Sequence, residues 1–221
     1  MLIEPNAHVY AYVIARDFGF APNPFHGVCT LATCKPGIRK AATVGDWILG
    51  VGGKKLGPTH RKCILLMKVS EKISFQNYWD DPRFSLKKPC RNGSHVKMLG
   101  DNIYHKNANG QWIQDDSHHS NPDGTTNQVN LYRDTGTSDQ VLISNYFFYF
   151  GENAIPVDLA SIEYKSGLGF KKINLSVSKE GRSLIESVYK NYWKNLNLLI
   201  ADPCQFMDSH RRVDQGTGKI I

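Results

Sequence analysis

The sequence predicts an α+β protein built on a small mixed sheet that is strongly bent or barrel-like. In the first 150 residues, short runs rich in β-branched and aromatic residues are separated by glycine turns, which is typical of β structure. One long amphipathic pattern follows between Lys179 and Ile200, where apolar residues recur at spacings of three and four. Strands that precede a helix, and do not alternate with helices, favour α+β over a parallel α/β sheet.

The N-terminal elements follow from local composition. The run Val9–Ala15 is apolar and rich in β-branched and aromatic residues, which predicts the first strand. A loop with two prolines and two glycines follows at Arg16–Gly27. A short helix is predicted within Cys34–Thr43, because a proline there suits the first helical position. Two more strands are predicted, at Asp46–Val51 and Lys62–Val69.

The middle of the chain is polar but is not expected to be disordered. Ser74 is a predicted N-cap of a short helix, and residues 85–139 lack a clear period. Large apolar side chains nevertheless recur in 85–139, whereas a disordered segment would contain few of them. We therefore expect a long ordered polar loop region that packs over the core. After it, residues 141–144 and 146–150 predict a strand pair or one bent strand.

Composition and charge limit the classes of protein. The pattern changes near residue 165, which predicts a core domain at 1–165 and a C-terminal helix and tail at 166–221, packed on the core or extending from it. The chain has 27 Lys and Arg against 20 Asp and Glu, a net charge of +7 that suits a polyanionic partner. The five cysteines lack the spacing of a disulfide framework. The sequence shows neither a secretory signal nor an apolar run of about 18–20 residues. These features predict a cytoplasmic protein without a membrane partner. The sequence leaves the oligomeric state open.

A set of polar and aromatic residues around the first loop predicts a pocket for a nucleotide or another anion. An arginine at a strand exit suits a phosphate or a base edge, although Arg16 and Asp17 would equally make a structural ion pair. Lys35 and Arg39 flank a predicted helix start, where free backbone N–H groups favour an anion. The alternative is a solvated cationic surface. Trp47 is a candidate stacking wall. The predicted ligand-binding residues are Arg16, Asp17, Asn23, Lys35, Arg39, Trp47 and Arg133.

Three acid-bearing blocks in the polar region contain the residue types used for general acid–base catalysis or for metal binding. The alternative is a solvated polar loop. Adjacent histidines on an extended segment point to opposite sides, so at most one of His118 and His119 is expected to face a given pocket. The candidate catalytic residues are Asp101, His105, Asp116, His119 and Asp134.

The cysteines predict no metal site. Cys29 and Cys34 lack the partner motif that a zinc site requires, so no metal-ligating set is assigned. Buried thiols that act as small hydrophobic groups are favoured over a nucleophile activated by a nearby cation. The sequence identifies no cofactor.

Several long strings carry a family resemblance. The run RDFGFAPNPFHGVCTLATCKPGIRKAA, then GDWILGVGG, and later GDNIYH, QDDSHHS, YRDT and VLISNYFFYFG, resemble a bacterial and phage family called nucleotide modification associated domain two. The resemblance covers roughly residues 8–165. It implies a setting of nucleic-acid modification or phage defence, with DNA or a modified base as a partner, and it implies no particular reaction. The strings GDW and KCILLMKV also resemble small barrel domains of the pseudouridine-synthase-associated type.

Three hypotheses of function follow. The first is recognition or processing of a nucleotide or modified base, through a pocket built from residues 16–47. The second is a metal-assisted or acid–base enzyme that uses the blocks at 101–134 on nucleotides or bases. The third is a scaffold subunit without catalysis. The first two require the loop after the first strand and the histidine-rich block to face one cavity, and the sequence leaves open whether the protein is an enzyme.

Overall fold

The computed structural model describes residues 2–165, 167, 169–214, 216–217 and 219–221. The strands in this part of the chain are β1 (His8–Ile14), β2 (Cys29–Leu31), β3 (Trp47–Gly52), β4 (Cys63–Lys68), β5 (Glu71–Ser74), β6 (Tyr104–Lys106), β7 (Trp112–Gln114), β8 (Gln140–Ser144), β9 (Phe147–Tyr149) and β10 (Phe170–Asn174). The α-helices are α1 (Pro36–Ala41), α2 (Phe75–Asp80), α3 (His95–Met98), α4 (Gln128–Thr135) and α5 (Lys179–Tyr192).

The strands form a mixed main sheet and two smaller sheets, which confirms the predicted α+β class. The main sheet has the order β10-β1-β3-β4-β9, with β1 and β3 parallel and the other neighbours antiparallel. A three-stranded sheet has the order β2-β8-β5, and β6 pairs with β7 in a hairpin. Among the described residues, β10 and β9 remain edge strands of the main sheet, so it does not close into a barrel.

The main sheet is buried on both faces. Successive residues of β1 point to opposite faces and therefore contact different core clusters. Val9 and Ala11 face a cluster that includes Leu184 and Ile185 of α5. Tyr10, Tyr12 and Ile14 face a second cluster, which contains Cys29 and Leu31 of β2 and Ile38 of α1. A third cluster, built on Phe75, Tyr78 and Tyr104, lies beneath the hairpin and the loop after β1. The end of β1 therefore lies where the main sheet meets the smaller one.

Local signals placed several elements correctly. The Ser74 hydroxyl accepts a hydrogen bond from the Asn77 amide at 3.1 Å and caps α2, as predicted. Pro36 opens α1. The two runs between 141 and 150 are separate strands that belong to different sheets, so the chain crosses from the smaller sheet to the main sheet there.

Other elements differ from the sequence prediction. The region 85–139 is ordered, but it contains α3, the β6–β7 hairpin and α4 in addition to loops. The amphipathic helix ends at Tyr192 and not near Ile200, because a 3₁₀ turn follows and Asn197 adopts a left-handed conformation with φ of 60°. Strand β10 was not predicted; it pairs with β1, so part of the C-terminal region completes the main sheet. None of the described helices has both the length and the apolar character needed to span a membrane.

Candidate functional site

A pocket of about 310 Å³ lies at the end of β1. Its wall is mainly apolar and aromatic, and three cationic side chains, Arg16, Lys35 and Arg133, also line it. The lining comes from segments far apart in sequence: the end of β1, the loop after it, the turn before α1, the His118–His119 turn, α4 and the C-terminal tail. The remaining lining residues are Tyr12, Val13, Ile14, Ala15, Phe18, Phe20, Ala21, Cys34, His118, His119 and Val213.

Cys34 is held at the pocket by an unusual backbone conformation. Cys34 and Lys35 have φ values of 56° and 41°, in the left-handed region that residues with side chains seldom adopt. The Cys34 amide donates to Oδ1 of Asp134 at 2.9 Å, and the Cys34 carbonyl accepts from Nε of Arg39 at 2.9 Å. Backbone strain of this kind concentrates at functional sites, where surrounding contacts maintain it.

Three side chains form a chain of acid–base contacts that ends at the pocket. Sγ of Cys34 lies 3.7 Å from Nε2 of His119, and Nδ1 of His119 lies 2.9 Å from Oδ2 of Asp134. An ionised carboxylate only accepts hydrogen bonds, so Nδ1 carries a proton and donates it to Asp134. In the neutral imidazole, the Nε2 lone pair then faces the thiol. Thiol, imidazole and carboxylate in this order can activate a cysteine nucleophile.

The Asp134 carboxylate is buried and saturated with donors. Oδ1 accepts from the Cys34 amide and from Nε of Arg133 at 3.1 Å, and Oδ2 accepts from His119 and from the Tyr104 hydroxyl at 2.9 Å. Burial alone would raise the pKa of Asp134, but the neighbouring His119 and Arg133 outweigh it and hold the pKa below its ordinary value. Asp134 is therefore a fixed anion that orients both the imidazole and the backbone of Cys34.

The thiol and the imidazole shift each other towards their charged forms. Burial raises the pKa of Cys34, yet the charges of His119 and Arg133 prevail and lower it below that of an ordinary thiol. Burial lowers the pKa of His119, and the opposing effects of Cys34 and Asp134 leave it raised. By contrast, burial raises the pKa of Cys29 to about 12. The site therefore shifts both groups towards a thiolate–imidazolium pair.

The same three residues are also a possible metal-ligand set, since their ligand atoms lie within 4.8 Å of one another. The hydrogen bonds argue against this use. Both oxygens of Asp134 already accept hydrogen bonds from protein donors. Nδ1 of His119 carries a proton and therefore has no lone pair for a metal. The Arg133 guanidinium, 3.3–3.4 Å from both ring nitrogens of His119, would in addition repel a cation.

The two adjacent histidines both line this pocket, so the expectation that only one could do so is wrong. The expectation assumed an extended segment, whereas residues 118–119 form a turn. The His118 ring packs against Phe18 with 4.5 Å between centroids and against Phe20 with 5.1 Å. Phe20 also meets His119 edge-on at 4.6 Å. The result is a continuous aromatic wall beside the thiol.

The structure brings five of the sequence-predicted residues to the pocket and its base. Arg16, Lys35, Arg133 and His119 line it, and Asp134 supports His119 from below. The Lys35 ammonium lies 5.1 Å from the centre of the Tyr12 ring, and burial lowers the pKa of Lys35. The loop after β1 and the histidine-rich block therefore share one cavity.

Two predicted residues belong to a separate buried network. Asp101 accepts from the hydroxyls of Thr30 at 2.6 Å and Tyr78 at 2.8 Å. Asn23 accepts from the buried Lys87 ammonium at 2.7 Å and donates to the Leu99 carbonyl. Neither Asp101 nor Asn23 lines the pocket. This network ties the loop after β1 to the segment before β6.

Five further predicted residues lie outside the pocket lining. Arg39 is fully buried and donates to backbone carbonyls, and Trp47 is fully buried against Tyr146 in the opposite core cluster. Asp17 is buried beneath the loop, where it accepts from the Tyr149 hydroxyl and the Cys204 amide. Asp116 is exposed and accepts a hydrogen bond from Arg212 at 2.7 Å. His105 is partly buried, and its ring contacts Trp79 with 3.9 Å between centroids.

The fold and site together define an α+β protein with a thiol–imidazole–carboxylate arrangement in an aromatic and cationic pocket, in which the imidazole and the carboxylate are buried and the thiol is partly exposed. The chain belongs to the family described as nucleotide modification associated domain 2, whose sequence profile matches residues 6–210. This membership associates the chain with nucleotide modification. Comparison with curated proteins and with solved structures gives no match.

The sequence analysis kept a nucleophilic cysteine only as the less favoured alternative and did not assign Cys34 to the site. It also did not assign the aromatic wall of Tyr12, Phe18 and Phe20. One local signal was present for the thiol: Cys34 stands directly before a lysine at a predicted helix start, a setting that lowers thiol pKa values. The decisive partners, His119 and Asp134, are 85 and 100 residues away in the chain. Only the tertiary fold brings them to the thiol.

Proposed function

We propose that this protein is a thiol-dependent enzyme that acts on a nucleotide or a modified base. Cys34 is the nucleophile, His119 is the acid–base group, and Asp134 orients the imidazole. The observation that carries the proposal is the unbroken contact chain from Sγ of Cys34 through His119 to Asp134, with the thiol at a pocket wall. Membership in a family associated with nucleotide modification supports the substrate class.

The chemistry runs in two balanced steps. His119 Nε2 takes the proton of the thiol, and Sγ attacks an electrophilic carbon of the bound base or of a substituent on it. As the S–C bond forms, the bond from that carbon to the leaving group breaks, and His119 gives its proton to the leaving group. In the second step water loses a proton to His119 and its oxygen attacks the same carbon, which releases the Cys34 thiolate.

The cationic lining supports an anionic ligand. Arg133, Lys35 and Arg16 bring three positive charges to one small pocket, and such charges favour a phosphate or a developing anion. This arrangement also supports the binding half of the hypothesis, in which the pocket retains a nucleotide. Binding without turnover would therefore be the outcome if Cys34 were not a nucleophile.

The test is incubation of the protein with dTMP, dCMP, their 5-hydroxymethyl forms and oligonucleotides that contain them. Mass spectrometry follows both the ligands and the intact protein, with and without a divalent metal and EDTA. We expect an altered ligand or a covalent adduct on Cys34, and we expect Cys34→Ala to reduce turnover by about 10³-fold or more. Cys90→Ser is the matched control because Cys90 is an exposed free thiol outside the pocket lining.

Three results would contradict the proposal. Turnover that persists in Cys34→Ala would exclude the thiol as nucleophile. Turnover that EDTA abolishes would favour the metal-assisted alternative. Retention of unaltered nucleotide by the unsubstituted protein, without adduct, would favour a binding module.

A further inference from the structure

Three buried polar side-chain atoms near the pocket have no hydrogen-bond partner among the described residues. They are the hydroxyls of Tyr12 and Thr33 and Nδ1 of His118. The three residues are 1%, 0% and 5% exposed. Tyr12 and His118 line the pocket, and Thr33 directly precedes the Cys34 thiol. Because buried polar groups in folded proteins are almost always paired, a cluster of unpaired ones around a cavity points to a ligand.

The two pocket-lining groups offer complementary hydrogen-bonding capacity. The Tyr12 hydroxyl can donate or accept. Nδ1 of His118 has no partner among the described residues, and in a neutral imidazole one ring nitrogen donates and the other accepts. Burial, reinforced by the nearby His119 and Arg91, holds the pKa of His118 well below its ordinary value, so the ring is neutral. The pocket lining therefore includes one hydroxyl and one neutral imidazole, each with an unpaired polar atom.

The surroundings of these atoms suit a flat ring. The His118 ring packs with Phe18 and Phe20, and the whole pocket, at about 310 Å³, is at the small end of the range for ligand sites. Aromatic walls hold a planar heterocycle by stacking. The cations Lys35 and Arg133 line the same cavity and suit a phosphate attached to that ring.

We propose that Tyr12 and His118 are specificity-determining residues that hydrogen-bond the edge of a single nucleobase. The base enters as a mononucleotide or as a base extruded from a strand, since both present the same ring and phosphate. This inference rests on the proposed function, because it places the base beside the Cys34 nucleophile. It goes further by naming the groups that recognise the ring.

The test measures binding to Cys34→Ala protein by calorimetry, so that ligands are not consumed. The probes are the four deoxynucleoside 5′-monophosphates, short single-stranded oligonucleotides, and deoxyribose 5-phosphate as a ligand without a base. We expect base-bearing probes to bind more tightly than deoxyribose 5-phosphate. When Tyr12→Phe or His118→Phe is combined with Cys34→Ala, the affinity for base-bearing probes should fall by about five- to tenfold. The affinity for deoxyribose 5-phosphate should not change.

Tyr10→Phe is the matched control, because Tyr10 lies on the same strand and its hydroxyl donates to the Ala41 carbonyl at 3.0 Å. Tyr10→Phe should lower the melting temperature and keep the affinity. Tyr12→Phe should do the reverse, since it removes a hydroxyl without a partner: affinity falls, and the melting temperature of the free protein stays the same or rises. Binding of oligonucleotides but not of mononucleotides would identify an extruded base as the source.

Two results would overturn the inference. One is equal affinity for deoxyribose 5-phosphate and the nucleotides. The other is a Tyr12→Phe variant that loses stability but not affinity, which would make the hydroxyl a structural group. Failure of the proposed function looks different: base-specific binding would persist while Cys34 showed neither adduct nor turnover.

Discussion

Cys29 and Cys34 lie in one short stretch of chain, yet their acid–base properties are opposite. Cys29 is buried among apolar groups of β2, and burial raises its pKa to about 12. Cys34 is only partly buried, and His119 and Arg133 lie close enough to lower its pKa. Both residues are cysteines, so the residue type alone does not explain the difference in thiol pKa. The neighbouring charges decide which thiol can react.

The reactivity of Cys34 should depend on His119 in a direction fixed by these shifts. A thiolate that persists below the ordinary thiol pKa of about 8.5 is alkylated faster than a free thiol at neutral pH. In a Cys90→Ser background, we expect iodoacetamide to label Cys34 at pH 6.5. His119→Gln should move the labelling profile to higher pH and reduce the rate at pH 6.5 by about tenfold or more. Peptide mass mapping assigns the labelled cysteine.

The control for this experiment is His105→Gln, because His105 is a partly buried histidine that stacks on Trp79 outside the pocket lining. It should leave the profile unchanged. A His119→Gln profile identical to that of the parent would show that the imidazole does not activate the thiol.

At the scale of secondary-structure elements, Arg39 connects the pieces that carry the site. Its guanidinium donates to the carbonyl of Cys34 at 2.9 Å, to Ser138 at 3.2 Å, to Gln140 at 2.6 Å and to the Asp134 carbonyl. Those carbonyls belong to the turn before α1, to the end of α4, to the loop after α4 and to the start of β8. One buried cation thus fixes the spacing between Cys34 and the helix that carries Asp134.

Replacement of Arg39 by methionine should destabilise the fold strongly. The apolar stem is kept, but four buried carbonyls lose their donor, so we expect the free energy of unfolding to fall by about 3–5 kcal/mol. Urea denaturation measures this change. Lys40→Met, on the same helix and exposed, should alter it by no more than about 0.5 kcal/mol. Similar effects of the two substitutions would mean that the Arg39 contacts do not hold these elements together.

These elements also show where sequence reasoning succeeds. The Ser74 cap and Pro36 at the start of α1 act through contacts within four residues, so a short window of sequence contains the whole signal. Helix α4 has no such signal beyond its Asn127 cap, and its polar sequence lacks the apolar stripe that predicts a helix. Because Asp134 lies on α4, the site could not be assembled before the fold was known.

At the scale of the whole molecule, the loop after β1 and the C-terminal tail contact each other beneath the pocket. The backbone of Asp17, in the loop after β1, accepts from the Gln205 amide at 2.7 Å and donates to the Gln205 side chain at 3.2 Å. The Asp17 carboxylate accepts from the Tyr149 hydroxyl and from the Cys204 amide at 3.0 Å. The C-terminal tail then continues to Val213, which lines the pocket. No periodic pattern in the sequence could reveal this closure, because its contacts span about 190 residues.

This closure predicts a pH dependence of stability with a definite sign. Burial raises the pKa of Asp17 above the ordinary value of about 3.9, despite the opposing hydrogen bonds from Tyr149 and Cys204. The folded state thus holds this proton more tightly than the unfolded state, so the contribution of Asp17 to stability is complete below about pH 3.9 and is lost as pH rises through the folded pKa. Asparagine does not titrate. We therefore expect the unfolding free energy of the parent, minus that of Asp17→Asn, to fall in urea titrations as pH rises above about 3.9. Asp202→Asn, at an exposed position in the same tail, is the matched control. A difference for Asp17→Asn that rises with pH would show that Asp17 is a stabilising anion and not a buried acid.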